Sequence, residues 1–230
     1  MKNIIKEQAN VKLTGRLRRT FSFVSNSDIE NKYIVDIGCG YGWFEHNAFK
    51  KGAAKITGIE ISESDLQTVK NCINNKNFSP VIGHATNISV KRGSVDTVVA
   101  WEVIEHIPKG TEDDFFKEVR RVLRRGGHFY LSTPYQSVIA TYLDPAFWLV
   151  GHRHYSKNLL SQLGLNNKFS VEAILVTGGI WTIYSIIDMY FWKWVFRRES
   201  VFKRFLHKKI EDEYRRDFGS ANIFIKYKKL

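Results

Sequence analysis

The stretch that decides the fold is Val35-Asp-Ile-Gly-Cys-Gly-Tyr-Gly42. The apolar residues that open it belong to a short run, 33–37, which is typical of a buried parallel strand. The turn that follows has three glycines at alternate positions, Gly38, Gly40 and Gly42. Because glycine has no Cβ, a ligand can approach the backbone amides at the start of the next helix. Asp36, near the end of the strand, can fix the turn or a cationic part of that ligand.

A second apolar run, residues 54–60, ends in an acid, Glu60. The interval from Gly42 to Glu60 is the length of one helix and one strand. An acid at the end of the second strand can accept hydrogen bonds from both hydroxyls of a ribose. A nicotinamide or flavin fingerprint reads G-x-G-x-x-G, but position 43 is Trp43, so that pattern is broken. A glycine-rich turn without a ligand is the alternative.

The pattern D-x-G-x-G-x-G resembles motif I of the class I S-adenosylmethionine (SAM)-dependent methyltransferases. Two later segments resemble the UbiE/UbiG-like branch, called type 11: residues 101–107 contain its E-V-x-E-H motif, and residues 120–134 end in S-T-P as its members do. The resemblance runs from about residue 33 to residue 165. It implies an α/β fold with a Rossmann-like, doubly wound sheet of seven strands in the order 3-2-1-4-5-7-6, with strand 7 antiparallel.

The resemblance also implies a SAM site at the ends of the first four strands. The cofactor-binding residues that it implies are Asp36, Gly38, Cys39, Gly40, Gly42, Glu60, Ile61, His84, Ala85, Thr86, Trp101 and Glu102. Where the family usually has an acid that receives the adenine amino group, this chain has His84. The backbone contacts of Ala85 and Thr86 survive that change, but the amino-group contact is in doubt. A surface histidine at position 84 is the alternative.

Three histidines are the candidate acid–base groups. Residues 151–156 read G-H-R-H-Y-S and resemble the family segment H-x-R-x-F-S, which implies that residues 152–155 line the acceptor side. A neutral imidazole there can remove a proton from an acceptor hydroxyl as the methyl group arrives. We predict His154 as this base, with His106 and His152 as further candidates. For each, the alternative is a histidine that only ties down its loop.

Two acids accompany His106 after the predicted fourth strand (94–100), where an α/β sheet places its ligand. In the family, a triplet like Glu102, Glu105 and His106 sometimes holds a divalent metal beside the acceptor. The commoner role is structural, because hydrogen bonds from such side chains pin the loop. We therefore predict no metal.

Local signals predict where several helices begin and end. Ser62, Thr111 and Ser156 precede helical patterns as N-caps. Gly126–Gly127 and Gly164 are predicted to end two of these helices. The aromatic stretch 135–155 is predicted as a loop.

The length of 230 residues predicts one domain, 1–230, and the net charge of +12 lies at its two ends. Residues 1–20 carry +5 and residues 193–230 carry +7, so the middle of the chain is neutral. Basic ends suit an anionic membrane surface, a phosphorylated substrate or nucleic acid, and a plain solubilising surface is the alternative. The two cysteines, Cys39 and Cys72, do not suggest a disulfide framework, and the N-terminus lacks the apolar core of a signal peptide. Both observations predict a cytoplasmic protein, with membrane association left open.

Two segments depart from a minimal methyltransferase. Residues 1–30 are predicted as a basic helical arm, which in this family often covers the cofactor. Residues 179–219, between predicted strands six (171–177) and seven (221–227), are too long for a plain loop and are predicted as a helical insertion. Residues 180–196 are nearly all apolar or aromatic and basic residues follow, so 180–218 can meet a lipid interface, cap the enzyme's own core or form a dimer contact.

These observations predict a SAM-dependent methyltransferase (EC 2.1.1.-) that acts on an oxygen or nitrogen of a small-molecule or lipid-linked acceptor. An enzyme acting on RNA or another macromolecule is one alternative, which the lack of a recognised RNA module disfavours. A non-catalytic SAM-binding module is the other, and motif I is too complete to favour it.

Overall fold

The computed structural model describes residues 11–143, 147 and 151–230. Its strands are β1 (Tyr33–Ile37), β2 (Lys55–Glu60), β3 (Phe78–Ile82), β4 (Val95–Trp101), β5 (Leu123–Pro134), β6 (Phe169–Thr177) and β7 (Asn222–Lys229). Its helices are α1 (Gly15–Phe23), α2 (Trp43–Lys50), α3 (Glu63–Cys72), α4 (Glu112–Val122), α5 (Val138–Leu143), α6 (Lys157–Asn166), α7 (Ile180–Phe191) and α8 (Lys203–Tyr214). The first ten residues of the predicted N-terminal arm lie outside the described residues.

The strands form one sheet in the order β3-β2-β1-β4-β5-β7-β6, which confirms the predicted order. The first five strands are parallel, and β7 runs antiparallel between β5 and β6. Asp36 on β1 aligns with Gly58 on β2 and with Val99 on β4. The carboxyl ends of these three strands therefore meet at one edge of the sheet, where a doubly wound fold binds its ligand.

Helices cover both faces of the sheet. On one face, α4 buries Phe115 and Phe116 against Phe129 of β5, with ring centroids 5.6–5.7 Å apart in edge-to-face contact. Tyr227 of β7 and Phe169 of β6 complete this aromatic core. Such aromatic pairs contribute about 0.5–1.5 kcal/mol each beyond the burial of their area. The edge formed by the carboxyl ends of β1, β2 and β4 thus belongs to a closely packed sheet.

Two predicted helix caps are confirmed and one is wrong. The Ser62 hydroxyl accepts a hydrogen bond from Asp65 N, and the Ser156 hydroxyl accepts one from Leu159 N. Thr111 precedes α4, but its hydroxyl donates to the carbonyl of Pro108 and caps nothing.

The glycine signals for helix ends are also wrong. Helix α4 ends at Val122, and Gly126–Gly127 lie inside β5, where the register with β4 shifts and Gly126 adopts φ +72°. Gly164 lies within α6 and does not end it. The residue is glycine because a Cβ there would be 2.4 Å from the ring of Tyr227. The stretch predicted as a loop contains the short helix α5.

The insertion between β6 and β7 is helical, as predicted: α7 continues into one π-helical turn (Trp192–Phe196), and α8 follows. Glu213 of α8 holds the start of α7. Its carboxylate accepts hydrogen bonds from the backbone amides of Gly179, Trp181 and Thr182, at 2.8–2.9 Å, and from the Thr182 hydroxyl at 2.8 Å. One acid thus satisfies three otherwise unpaired amides at a helix N-terminus.

Replacing this acid is expected to loosen the insertion. Glu213→Ala leaves three backbone donors without this partner, of which the Thr182 amide is buried and the other two are half-buried, so the free energy of unfolding should fall by about 3 kcal/mol. Urea denaturation measures the loss. Glu199→Ala is the matched control, since Glu199 makes only an exposed ion pair with Lys203 at 2.6 Å and should cost under about 1 kcal/mol. Equal losses in the two variants would contradict this role of Glu213.

Within the described ranges, no helix is both long and apolar enough to cross a lipid bilayer.

Candidate active site

A cavity of about 540 Å³ lies at the carboxyl ends of β1, β2 and β4. Eight of the predicted cofactor residues line it: Gly38, Glu60, Ile61, His84, Ala85, Thr86, Trp101 and Glu102. Four others do not line it: Asp36, Cys39, Gly40 and Gly42. Asp36 and Cys39 are buried beneath the turn, with 1% and 2% of their surface exposed.

The glycine turn requires glycine at its first and third positions. Gly38, with φ +76°, would place a Cβ 2.6 Å from the Val103 side chain. Gly42, with φ +86°, would place one 2.6 Å from Val69. Both the left-handed backbone and the close neighbours exclude a side chain. The turn is therefore a side-chain-free cradle, which is the feature that a cofactor contacting the backbone needs.

Glu60 lies directly beside this turn. One of its carboxylate oxygens accepts a hydrogen bond from Gly40 N at 3.1 Å, and the other accepts one from Ile61 N at 2.8 Å. The predicted pairing of the glycine turn with an acid at the end of β2 thus holds in space. These residues fit SAM, whose ribose an acid at this place can bind.

Glu45 is a buried acid that the sequence interpretation missed. It lies on α2 next to Asp36, and both of its oxygens lack a hydrogen-bond partner among the described residues, as does Asp36 Oδ1. Burial, followed by the charge of Glu45, raises the pKa of Asp36 well above its usual range. Burial also raises the pKa of Glu45 to about 7. The sequence held one indication of this burial, because Glu45 directly follows Phe44, an apolar residue on the buried face of α2.

This acid makes stability depend on pH. Because the folded protein keeps a proton that the unfolded chain has lost, stability should fall as pH rises from about 4.5 to about 7. Glu45→Gln should flatten that fall by up to about 1.4 kcal/mol per pH unit. Urea denaturation between these pH values tests it, with Glu63→Gln at an exposed position of α3 as the control. A parallel pH dependence in wild type and Glu45→Gln would contradict this role.

A second cavity, of about 450 Å³, adjoins the first, because Glu102 and His106 line both. All three predicted catalytic histidines, His106, His152 and His154, line it. Its other walls come from α7 and α8, including Ile183, Ile186, Met189, Ile210 and Tyr214, and from Arg16 of α1. The described part of the N-terminal arm thus reaches the second cavity and not the first.

Glu102 lies at the junction of the two cavities in a left-handed backbone conformation, φ +56°, which is rare for a residue with a side chain. The hydroxyl of Ser132 donates to one carboxylate oxygen at 2.7 Å. The amide of Asn222 donates to the other at 3.0 Å, and the guanidinium of Arg16 lies 2.7 Å from it. The loop after β4 is therefore fixed to β5, β7 and α1.

Glu105 and two histidines form a compact group in the second cavity. Glu105 accepts a hydrogen bond from the Thr133 hydroxyl at 2.9 Å, and its other oxygen lies 3.9 Å from His152 Nε2. Burial, and then the charge of Glu102, raises the pKa of Glu105 well above its usual range. Burial, and then His152, lowers the pKa of His106, so its imidazole is neutral at pH 7.

This group differs from the triplet considered in the sequence. One ligand atom from each of Glu105, His106 and His152 lies within 4.8 Å of the others, so their geometry can hold a cation. Glu102, the third member expected from the family motif, instead pairs with Arg16.

His154 has a defined tautomer. Its Nδ1 lies 3.3 Å from the carbonyl of Tyr135, which can only accept. In the neutral ring, a hydrogen bond to this carbonyl requires the proton on Nδ1, and Nε2 is then the nitrogen that can accept a proton. Its ring lies edge-to-face with His152 at 6.0 Å.

Two residues predicted for the acceptor side point elsewhere. Arg153 donates to the carbonyls of Ile104 and Ile107 at 2.5–2.6 Å, and Tyr155 donates to the carbonyl of Ile104 at 3.1 Å. Neither lines the second cavity, because both brace the loop after β4 from beneath. Of residues 151–156, His152 and His154 therefore line the second cavity.

Comparison with known proteins agrees with this architecture. Residues 35–131 match the type 11 family described as a methyltransferase domain. A ubiquinone biosynthesis O-methyltransferase from Cupriavidus pinatubonensis is 29% identical over 110 residues, which cover 46% of this chain and 42% of that protein. The chain thus matches less than half the length of this curated relative.

Solved structures share the fold at low identity. A SAM-dependent methyltransferase from Mesorhizobium loti superposes with a TM-score of 0.68 at 14% identity, over 96% of this chain and 100% of that one. A geranyl diphosphate C-methyltransferase from Streptomyces coelicolor A3(2), solved with S-adenosyl-L-homocysteine, gives 0.65 at 14% identity, over 94% and 81%. The motifs, the sheet order, the glycine cradle and the family match agree: residues 35–131 carry a methyltransferase domain of the class I SAM-dependent kind, whose cofactor is SAM.

Proposed function

We propose that the protein transfers the SAM methyl group to an oxygen or nitrogen of a small-molecule or lipid-linked acceptor bound in the second cavity. The observation that carries this proposal is the junction at Glu102 and His106, which line both cavities. A cofactor in the first cavity and an acceptor in the second would meet there. In this proposal residues 1–230 act as one domain, and 179–219 form the lid of the acceptor cavity.

The chain's own part in the reaction is orientation and proton removal. SAM supplies a methyl group that is already activated on a sulfonium, so alignment of the acceptor contributes most of the catalysis. The cradle at Gly38 and the acid Glu60 would hold the cofactor. The apolar walls Ile183 and Ile186 would exclude water around the acceptor. His154 Nε2 would take the proton of an acceptor hydroxyl, with His106 and His152 as further candidates.

The shape and charge of the second cavity favour a small acceptor over RNA. Among the residues that the structure describes, Arg16 is the one lysine or arginine that lines it, and Glu102 pairs with Arg16 at 2.7 Å. A site for a nucleic-acid backbone needs several cations that are available to phosphates. The apolar side chains of α7 and α8 suit an acceptor with a hydrocarbon part.

Methyl-labelled SAM tests this proposal. Incubated with a cell extract, the wild-type protein should move label into the small-molecule or lipid fraction, and Gly38→Arg should not. Label in RNA that ribonuclease removes would establish the macromolecular alternative. Bound SAM without label in any fraction would establish the non-catalytic alternative.

A further inference from the structure

Helix α7 has its polarity reversed relative to an ordinary surface helix. Its polar residues Thr182 and Asp188 are buried, with 8% and 7% of their surface exposed. Its apolar residues Tyr184 and Phe191 are 45% and 53% exposed. A helix that packs on a water-soluble core shows the opposite pattern. The second cavity accounts for Thr182 and for the apolar Ile183 and Ile186, which line it, but not for the large apolar side chains that α7 exposes.

Exposed apolar side chains continue along the chain from α7 through the π-helical turn into α8. We call it the 180–205 face, and its exposed large apolar residues are Ile180, Tyr184, Met189, Phe191, Trp194, Val195, Phe196, Val201, Phe202 and Phe205. These ten are half of the large apolar side chains that are exposed in the described part of the chain, and they fall within 26 positions. Contiguous patches of this kind mark interaction sites.

The same segment is strongly basic. Residues 193–209 contain seven lysines and arginines and one acid, Glu199. Two of the cations lie over aromatic rings: Arg198 is 4.9 Å from the ring centroid of Trp192, and Lys209 is 5.4 Å from that of Trp181. Aromatic and basic side chains that alternate on one surface suit the headgroup region of an anionic bilayer, where rings enter the interface and cations meet phosphates.

We infer that the 180–205 face docks on the surface of an anionic lipid bilayer. With 12 residues, α7 is about 18 Å long, so it lies in the interface rather than crossing it. A second copy of the chain would bring two such basic segments together, which their charge disfavours. The bilayer offers both the apolar depth and the anionic charge that this face complements.

Docking would place the acceptor cavity at the membrane surface. Met189 belongs to the 180–205 face, 41% exposed, and also lines the second cavity. An amphiphile could therefore leave its hydrocarbon part in the bilayer and present its polar group to the histidines. This part of the inference rests on the proposed function, because it takes the second cavity as the acceptor site.

Vesicle flotation of the full-length protein tests the docking. Wild-type protein should float with phosphatidylcholine vesicles that contain phosphatidylglycerol. The combined variant Phe191→Ser, Trp194→Ser, Phe196→Ser should lower the partition coefficient about a hundredfold. The control combines Leu159→Ser, Leu165→Ser and Leu230→Ser, which are exposed apolar positions outside the face, and should float as wild type does.

A charge variant separates the two contributions. Arg197→Glu with Arg204→Glu should lower partitioning about tenfold on anionic vesicles and leave binding to pure phosphatidylcholine unchanged. Lys70→Glu with Lys76→Glu, on the exposed surface elsewhere, is the control.

Two results would overturn the inference. One is wild-type protein that stays with the unbound fraction on both kinds of vesicle. The other is a dimer in light scattering that the aromatic variant converts to a monomer, without flotation of either protein, which would assign the face to a second copy. SAM calorimetry on the same samples keeps the proposals apart: wild-type protein that binds no SAM would contradict the proposed function, whereas wild-type protein that binds SAM but does not float would contradict only the docking.

Discussion

Gly38→Arg is expected to lower SAM affinity at least a hundredfold, about 2.7 kcal/mol. Gly38 lines the first cavity, adopts φ +76° and has the Val103 side chain 2.6 Å from where a Cβ would be. An arginine there must move Val103 or fill the space that the cofactor needs. Isothermal titration calorimetry with SAM measures the loss.

The control for this variant is Gly93→Ala. Gly93 also has a left-handed backbone, φ +63°, but a Cβ there has no neighbour within 4 Å. It therefore imposes similar backbone strain away from the cavity, and SAM affinity should stay within about twofold of wild type. Unchanged SAM affinity in Gly38→Arg would remove the glycine turn from the cofactor site.

His154→Gln is expected to lower kcat/KM about a hundredfold, because a positioned general base contributes about 10²–10⁴ to such reactions. A hydrogen bond from Nδ1 to the carbonyl of Tyr135 would leave Nε2 to act as the proposed base. SAM affinity should not change, since His154 lines only the second cavity. Initial rates with labelled SAM measure the effect.

His46→Gln is the matched control, because His46 lies on α2 and lines neither cavity. A rate for His154→Gln within about threefold of wild type would contradict its role as the base. The same measurement on His106→Gln would then test the second candidate, whose imidazole is neutral at pH 7.

The strands themselves are predicted well by local apolar patterns, and their order, which the family resemblance implies, is confirmed. Local sequence predicts the positions of the strands from buried apolar runs, and it predicts the glycine turn after β1 and the acid Glu60 at the end of β2. None of these predictions needs knowledge of the rest of the chain. The two serine caps also read correctly, since a cap acts on amides three residues away.

The features that the sequence did not predict depend on distant partners. Gly164 looks like a helix end, but it is glycine because Tyr227, far along the chain, packs against it. Glu45 looks like an ordinary helix acid, and only the neighbouring strand shows that it is buried beside Asp36. Thr182 looks like a stray polar residue in an apolar segment, and its burial depends on Glu213, whose carboxylate accepts a hydrogen bond from its hydroxyl.

The contact between α1 and α8 joins the two ends of the polypeptide. Glu211 of α8 accepts a hydrogen bond from Gly15 N at 2.6 Å and pairs with Arg18 at 2.8 Å. Arg16, between these two residues of α1, lines the second cavity. The first cavity is lined only by residues 37–108, whereas the second needs residues as far apart as 16 and 222. A chain emerging from the ribosome therefore carries all the described residues that line its first cavity long before the second cavity can close, and a chain shortened before Asn222 would lack a residue that lines the second cavity.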